Sequence, residues 1–336
     1  MGEVSGLKEL QSELKRIALL VNSYLINELK GEPKELYDAS AHLILAGGKR
    51  LRPFIVVKFY SMFKGNENDI LPTAAAVEFI HNFTLIHDDI MDRDEYRHGV
   101  PTVHKKYGEP LAILAGDVLF AKVFAMLTKT PALRGSDVKM TEAVSSVANS
   151  LVTLCEGQAL DMKMPQIGTL SEELYYSTIE KKTSALFQTS ALLGCIAAGC
   201  SEKEKDNARI YARHIGLAFQ LIDDLLGVAG ETEVTGKPVG NDLREGKRTI
   251  PIMMAVQNAG RNEREAILHV WGNDRADNDE LLRVVGIIRS MKVDTKVKEL
   301  AKKHIENSLL ALSQFPDCES RKYLEALAKF VIDRRM

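Results

Sequence analysis

Cysteine is scarce and tryptophan nearly absent: four and one in a chain of 336 residues. Cys155, Cys195, Cys200 and Cys318 show no C-x-x-C spacing and do not read as a disulfide framework. They read as reduced core residues of a cytosolic protein. Charge of one sign is also lacking. Forty-four basic residues face 46 acidic ones, a net charge of −2, which argues against a nucleic-acid or anionic-membrane binder but leaves room for a local basic pocket. There is no long hydrophobic run. The most apolar stretch, 184–200, carries Gln188, Thr189 and Ser190 and is too short and polar to span a membrane. The opening residues MGEVSGLKELQSELKR hold charge from residue 3 and no apolar signal core. The expectation is a cytoplasmic protein with no transmembrane segment. Repeats of 20–50 residues are missing, as are Pro/Gly/Ser-rich linkers and the Asn-Gly or Asp-Gly dipeptides of tight hairpins.

What remains is helical. Leu7, Leu10, Leu14, Ile17, Val21, Tyr24 and Leu25 mark one face of a first helix, closed by Gly31, and Pro33 fits the first turn of the next. Pro72 precedes a run to about Asp92. Capping-box spacing recurs at Thr169/Glu172, Ser201/Glu204 and Asp277/Glu280. The pattern predicts eleven or twelve helices, with loops near 64–69, 128–137, 227–248 and 271–277. They form a single all-α domain over 1–336.

Two acidic motifs carry the chemistry. In IHDDIMDRDEYRHG, Asp88 and Asp92 are four residues apart, so a helix sets both carboxylates on one face. Like charges there repel, and the apolar helix before them raises that cost. Hard oxygen ligands of this kind suit Mg²⁺, which keeps waters and takes substrate phosphate oxygens. In FQLIDDLLG, Asp223 and Asp224 again end an apolar run, where the helix dipole disfavours anions. A solvated acidic helix end accounts for either motif alone; the recurrence suggests two such ends holding a cluster of divalent ions. Basic residues beside glycines form a third feature. GGKRLRP supplies Lys49, Arg50 and Arg52, EKKTS supplies Lys181 and Lys182, and TGKPVGNDLREGKRT supplies Lys237, Arg244, Lys247 and Arg248. None matches a nucleotide-binding loop. Acidic metal motifs with dispersed basic residues point to a diphosphate bound through Mg²⁺.

In this order, from Gly47 to about Pro251, these blocks resemble the trans-isoprenyl diphosphate synthases, or polyprenyl synthetases. GGKRLRP is similar to the family's first basic motif, DDIMD to its first aspartate-rich motif, and FQLIDDLLG with GKPVGNDLREGKRT to its second aspartate-rich region. GVPTVH, LAGD, EGQALD and EKKT resemble the blocks between. The resemblance implies an all-helical isoprenoid-synthase bundle around a deep central cavity, assembled as a homodimer. It implies small-molecule diphosphate substrates: isopentenyl diphosphate adds head to tail to an allylic diphosphate, releasing pyrophosphate. Three Mg²⁺ would be held by Asp88, Asp92 and Asp223, with Asp89 and Asp224 adjacent or outer-shell. Arg97, Lys182 and Lys237 would grip the allylic diphosphate, with Lys247 near it. Lys49, Arg52 and His81 would hold isopentenyl diphosphate, and Gln220 would lie near the reacting carbons. Two positions depart from the pattern. His98 stands where the family often has arginine, making it a weaker diphosphate partner unless protonated. Gly227 stands where the second motif has its last aspartate.

The resemblance also places a growing-chain tunnel along the helix before Asp88. Phe83 and Thr84 lie about one turn below the metal site, Ile80 and Val77 two and three turns below. One turn rises about 5.4 Å, close to one isoprene unit. Small Thr84 beside bulky Phe83 resembles archaeal-type geranylgeranyl diphosphate synthases, so a C20 product is expected, with C15 and C25 as alternatives. Phe120 either floors the tunnel or is plain core. Two rival readings fit less well. A class I terpene cyclase would replace the second aspartate pair by an Asn/Ser/Glu triad. A silent subunit of a heteromeric synthase would have lost metal ligands.

Overall fold

The computed structural model describes residues 2–164, 170–229, 239–273 and 275–333. The all-α expectation holds: among the described residues the only strands are a two-residue antiparallel pair, β1 (Tyr96–Arg97) and β2 (Val100–Pro101). There are more helical segments than the periodicity predicts, because short ones such as α5 (Val103–Tyr107) and α11 (Asn241–Arg244) are too brief to show a period. The chain clusters into two compact units, each assembled from separated segments.

The first unit comprises residues 1–152, 186–212 and 311–327. It holds α1 (Gly2–Glu28), α2 (Lys34–Ala46), α3 (Leu51–Ser61), α4 (Leu71–Asp92), α5, α6 (Glu109–Lys129) and the start of α7 (Asp137–Lys163). Pro33 is the residue just before α2 rather than in its first turn. Every residue of α4 from Leu71 to Ile80 is buried. A helix apolar on all faces belongs at the centre, and α1, α3, α5 and α6 pack around it. Gly116 on α6 makes this close: a Cβ there would overlap the His87 ring. α6 is, among the described residues, the one helix long and apolar enough to cross a membrane by length and composition. It lies against α2, α4 and α5. Phe59 on α3 meets Tyr211 and Phe315 edge to face, centroids 5.5 and 5.4 Å apart, so three distant segments share one aromatic cluster.

Gly47 and Gly48 both have positive φ (111° and 146°), which turns the chain so that Arg50 points inward. Arg50 donates to Glu78 Oε1 (2.8 Å), Asn22 Oδ1 (2.8 Å), Ile44 O (2.6 Å) and Gly47 O (3.1 Å). Arg50 is 5% exposed and Glu78 2%. Breaking such a pair leaves a buried charge uncompensated, at about 3–5 kcal/mol. Arg50→Ala is therefore expected to lower unfolding free energy by that order in urea titrations; an unchanged midpoint would show that the pair contributes nothing.

The second unit comprises residues 153–185, 213–310 and 328–336. It holds the rest of α7, α8 (Glu172–Ile179), a π-helical turn (Glu180–Ser184), α11, α12 (Ile250–Asn258), α13 (Arg261–Val270), α14 (Asn278–Ser290) and most of α15 (Val293–Leu312). α9 (Ala185–Ala198), α10 (Glu202–Ala229) and α16 (Glu319–Ile332) complete the chain. The capping boxes form at Ser201/Glu204 and Asp277/Glu280. Thr169 lies outside the described residues, and Ser171 caps α8 instead, accepting from Leu174 N at 3.2 Å.

Candidate active site

In the first unit α4 stops at Asp92 because Arg93 turns left-handed (φ 58°). Asp88 is partly buried and Asp92 exposed, one turn apart. Both sit where the helix dipole favours a cation. Asp89 is fully buried. Its Oδ1 accepts from Arg97 Nε at 2.5 Å, while its Oδ2 has no hydrogen-bond partner among the described residues. Burial raises its pKa to about 6, against the pull of Arg97. Arg97 also reaches Asp94 Oδ2 at 3.3 Å. It sits on β1, and the hairpin turns through His98 and Gly99, both at positive φ (51° and 76°). Two such residues between paired strands make a I′ turn, a role histidine tolerates and one that motif reading did not expect here.

The hairpin stands among the basic residues. Burial, with Arg52, His98, Arg97 and Arg50, holds the His81 imidazole well below the usual histidine range. Burial, then Arg97 and Arg50, lowers His98 too. Both rings are thus neutral near pH 7. Arg52 lies over Phe187, its Cζ 4.4 Å from the ring centroid. Lys49 is exposed beside buried Arg50. The structure thus brings Arg52, His81, Arg97 and His98 together; Arg50 acts on both histidines as well, but its own hydrogen bonds go to Glu78, Asn22 and backbone carbonyls. Phe83 packs edge to face on Phe120, centroids 5.7 Å apart. Phe120 is 41% exposed and also meets Phe124 at 5.6 Å. Ile80 and Val77 are fully buried. Thr84 donates its hydroxyl to His81 O (2.8 Å).

The second unit builds its part around the π-turn. EKKTS is the block that coils this way, and such turns recur at functional sites. Two glycines permit it: a Cβ on Gly157 (α7) would overlap the Lys182 backbone, and one on Gly216 (α10) would come within 2.6 Å of Ser184 Cα. Lys182 Nζ donates to Asp161 Oδ2 at 2.7 Å. Thr183 Oγ1 donates to Gln220 Oε1 (2.6 Å), and Gln220 Nε2 donates to Asp224 Oδ1 (2.8 Å). Asp224 Oδ2 accepts from Tyr175 at 2.6 Å. Asp224 is buried. Burial and then Asp242 raise its pKa to about 7, against the hydrogen bonds from Tyr175 and Gln220. Asp223 is less buried. Lys247 Nζ contacts Asp242 (2.9 Å) and Glu245 (2.7 Å). Burial alone would lower its pKa, yet Asp242 and Glu245 hold it above the lysine range.

Gly227 now has a physical reason. A Cβ at that position would overlap the carboxylate of Asp242. An aspartate there would require the Asp242 carboxylate, from the GNDL block, to move aside. Sequence reading missed Asp242, Asp161 and Tyr175. The first two lie inside quoted blocks and were findable; Tyr175 gives no local sign. Lys237 lies outside the described residues.

In the first unit the donors fit a hard cation: the acidic end of α4 and the Asp89 carboxylate oxygen that lacks a partner. Among the described residues no three His, Cys, Asp or Glu side chains converge as a closed cage would. Magnesium rarely uses one, since it takes waters and substrate oxygens.

Comparison with known proteins agrees with these features. The polyprenyl synthetase family matches residues 33–288. The chain is 42% identical over 300 residues to the short chain isoprenyl diphosphate synthase of Methanocaldococcus jannaschii, covering 89% of each chain. It is 39% identical to the geranylgeranyl diphosphate synthase of Sulfolobus acidocaldarius, over 94% of this chain and 96% of that one. The crystal structure of the geranylgeranyl pyrophosphate synthetase from Pyrococcus horikoshii superposes with a TM-score of 0.90 at 34% identity, covering 98% of this chain and 99% of that one. The chain belongs to the polyprenyl synthetase family, a family of prenyltransferases that build isoprenyl diphosphates.

Proposed function

We propose that this protein condenses isopentenyl diphosphate with dimethylallyl, geranyl and farnesyl diphosphates, head to tail, to give geranylgeranyl diphosphate and pyrophosphate. The observation that carries the proposal lies within the first unit. An acidic helix end, Asp88 and Asp92, stands beside the cations Arg52 and Arg97, with the neutral rings of His81 and His98 among them. That pairing suits a diphosphate held by both metal and cations.

Asp88, Asp92 and Asp223 are the proposed Mg²⁺ ligands, for about three ions, with Asp89 and Asp224 behind them. Bound Mg²⁺ supplies Lewis-acid stabilisation of the leaving diphosphate. Arg97, Lys182, Lys237 and Lys247 hold the allylic diphosphate and stabilise charge as it grows on the leaving oxygen. Lys49, Arg52, His81 and His98 hold isopentenyl diphosphate. Neutral His81 donates one N–H to it. Gln220 is proposed near the reacting carbons, fixed by Thr183 and Asp224. The apolar face of α4 keeps water from the allylic cation. The isopentenyl double bond attacks that carbon, and the released pyrophosphate accepts the proton that leaves.

A C20 product follows from Phe83 pinned against Phe120, with small Thr84 beside it. We also propose a homodimer, supported by Ile113, Leu114 and Phe120, which α6 exposes. A cytoplasmic setting suits the free thiols, and one 1–336 domain suits units interwoven along the chain. A silent-subunit role is disfavoured because Asp88, Asp92 and Asp223 are all present.

The test supplies Mg²⁺, labelled isopentenyl diphosphate and each of the C5, C10 and C15 primers, then sizes the products. C20 is expected. C15 or C25 would keep the reaction and overturn the tunnel reading; folded protein without turnover would favour the silent subunit. His98 gives a finer check. Its lowered pKa leaves it neutral at pH 7, and protonation as pH falls adds a cation for the diphosphate. His98→Arg should lower KM for isopentenyl diphosphate at neutral pH by about fivefold, roughly 1 kcal/mol, and flatten its rise with pH. An unchanged KM and pH profile would remove His98 from the site.

A further inference from the structure

We propose that Cys195 and Cys200 form a dithiol site that low-molecular-weight disulfides oxidise reversibly to an intramolecular disulfide. The site is independent of the prenyl-transfer reading. It arises from how α9 ends. Cys200 N donates to Cys195 O at 3.0 Å, and Gly199 N donates to Ile196 O at 3.0 Å. Gly199 has φ 80°. These are the two hydrogen bonds and the left-handed residue of a Schellman motif. That motif brings the side chains of its first and sixth residues together, a contact usually made by apolar groups. Here both are cysteines, and the neighbouring Cys200 thiol, then burial, push the Cys195 thiol above the usual cysteine range. The spacing C-x-x-x-G-C was the signal in the sequence; C-x-x-C was the wrong pattern to seek. The backbone hydrogen bond across the motif keeps the two Cα atoms within the span a disulfide allows.

Exposure sets the order of events. Cys195 is fully buried, while Cys200 is partly exposed. Cys200 meets the oxidant first. Its thiolate attacks one sulfur of the small disulfide, forming a mixed disulfide and expelling one small thiolate. Cys195 gives up its proton, attacks the Cys200 sulfur and expels the second small thiolate. The two protein thiols lose two electrons and two protons, and the small disulfide leaves as two thiols. An excess of small thiol reverses both steps. Lys139 borders the site, its Nζ donating to Ala197 O at 2.8 Å. Lys205 and Glu204 lie near Cys195. Cys155 and Cys318 are also free cysteines and serve as internal controls.

The experiment equilibrates the full-length protein with oxidised and reduced glutathione in varied ratio, quenches with acid and alkylates under denaturing conditions. Trypsin then releases residues 183–203 as one peptide carrying both cysteines. The expected result is that this peptide escapes alkylation and is lighter by two hydrogen atoms, while Cys155 and Cys318 show no such bridge. Cys195→Ser should trap glutathione on Cys200, and Cys200→Ser should leave Cys195 alkylatable at every ratio. Should Cys195→Ser fail to fold, the wild type and Cys200→Ser decide alone. Two alkylated cysteines at every ratio would overturn the proposal. So would glutathione on Cys200 beside an alkylated Cys195 in the wild type.

Discussion

Asp88→Ala is expected to abolish most turnover while leaving the fold intact. Metal stabilisation of a leaving group contributes several kcal/mol in the transition state. At 1.36 kcal/mol per tenfold, losing about 4–6 kcal/mol lowers kcat by roughly 10³- to 10⁴-fold. The effect should fall on kcat more than on KM, because the charge develops as the bond breaks. Stability should move the other way. Asp88 sits at the C-terminal end of α4, where the dipole disfavours an anion, so the variant's thermal midpoint should hold or rise. Asp89→Ala is a useful contrast. It removes a buried carboxylate that Arg97 contacts, and it should lower stability as well as activity. An Asp88→Ala enzyme with near-normal kcat would remove Asp88 from the metal site.

Product length is the second large effect. The Phe83 ring is pinned by Phe120, and one helical turn corresponds to about one isoprene unit. Phe83→Ala is expected to shift the main product from C20 to C25 or longer. Thr84→Phe should shorten it to C15. Phe83 is buried, and Phe-to-Ala changes in cores cost about 3–5 kcal/mol, so products should be sized well below the variant's thermal midpoint. An unchanged C20 product in both variants would place the tunnel elsewhere.

The sequence made some of this legible for local reasons. Capping boxes at Ser201 and Asp277 depend on three-residue spacing, so they could be read directly. The Asp88/Asp92 pair depends only on helical period. Other features depend on tertiary approach and left no periodic mark. The π-turn at 180–184 exists because Gly157 and Gly216 let two helices press on its backbone. GGKRLRP offers three similar cations, and only packing shows that Arg50 is the one buried against Glu78. Nothing in the sequence shows that the Asp242 carboxylate lies against Gly227. The His98–Gly99 turn was hidden because hairpins this short have no alternating strand pattern to announce them.

The most direct test is a crystal structure with Mg²⁺ and a non-ionising allylic thiodiphosphate. Magnesium bound by Asp88, Asp92 and Asp223, with Arg97 and Lys182 on the diphosphate, is the expected outcome. A diphosphate bound without metal, or metal held by other residues, would contradict it.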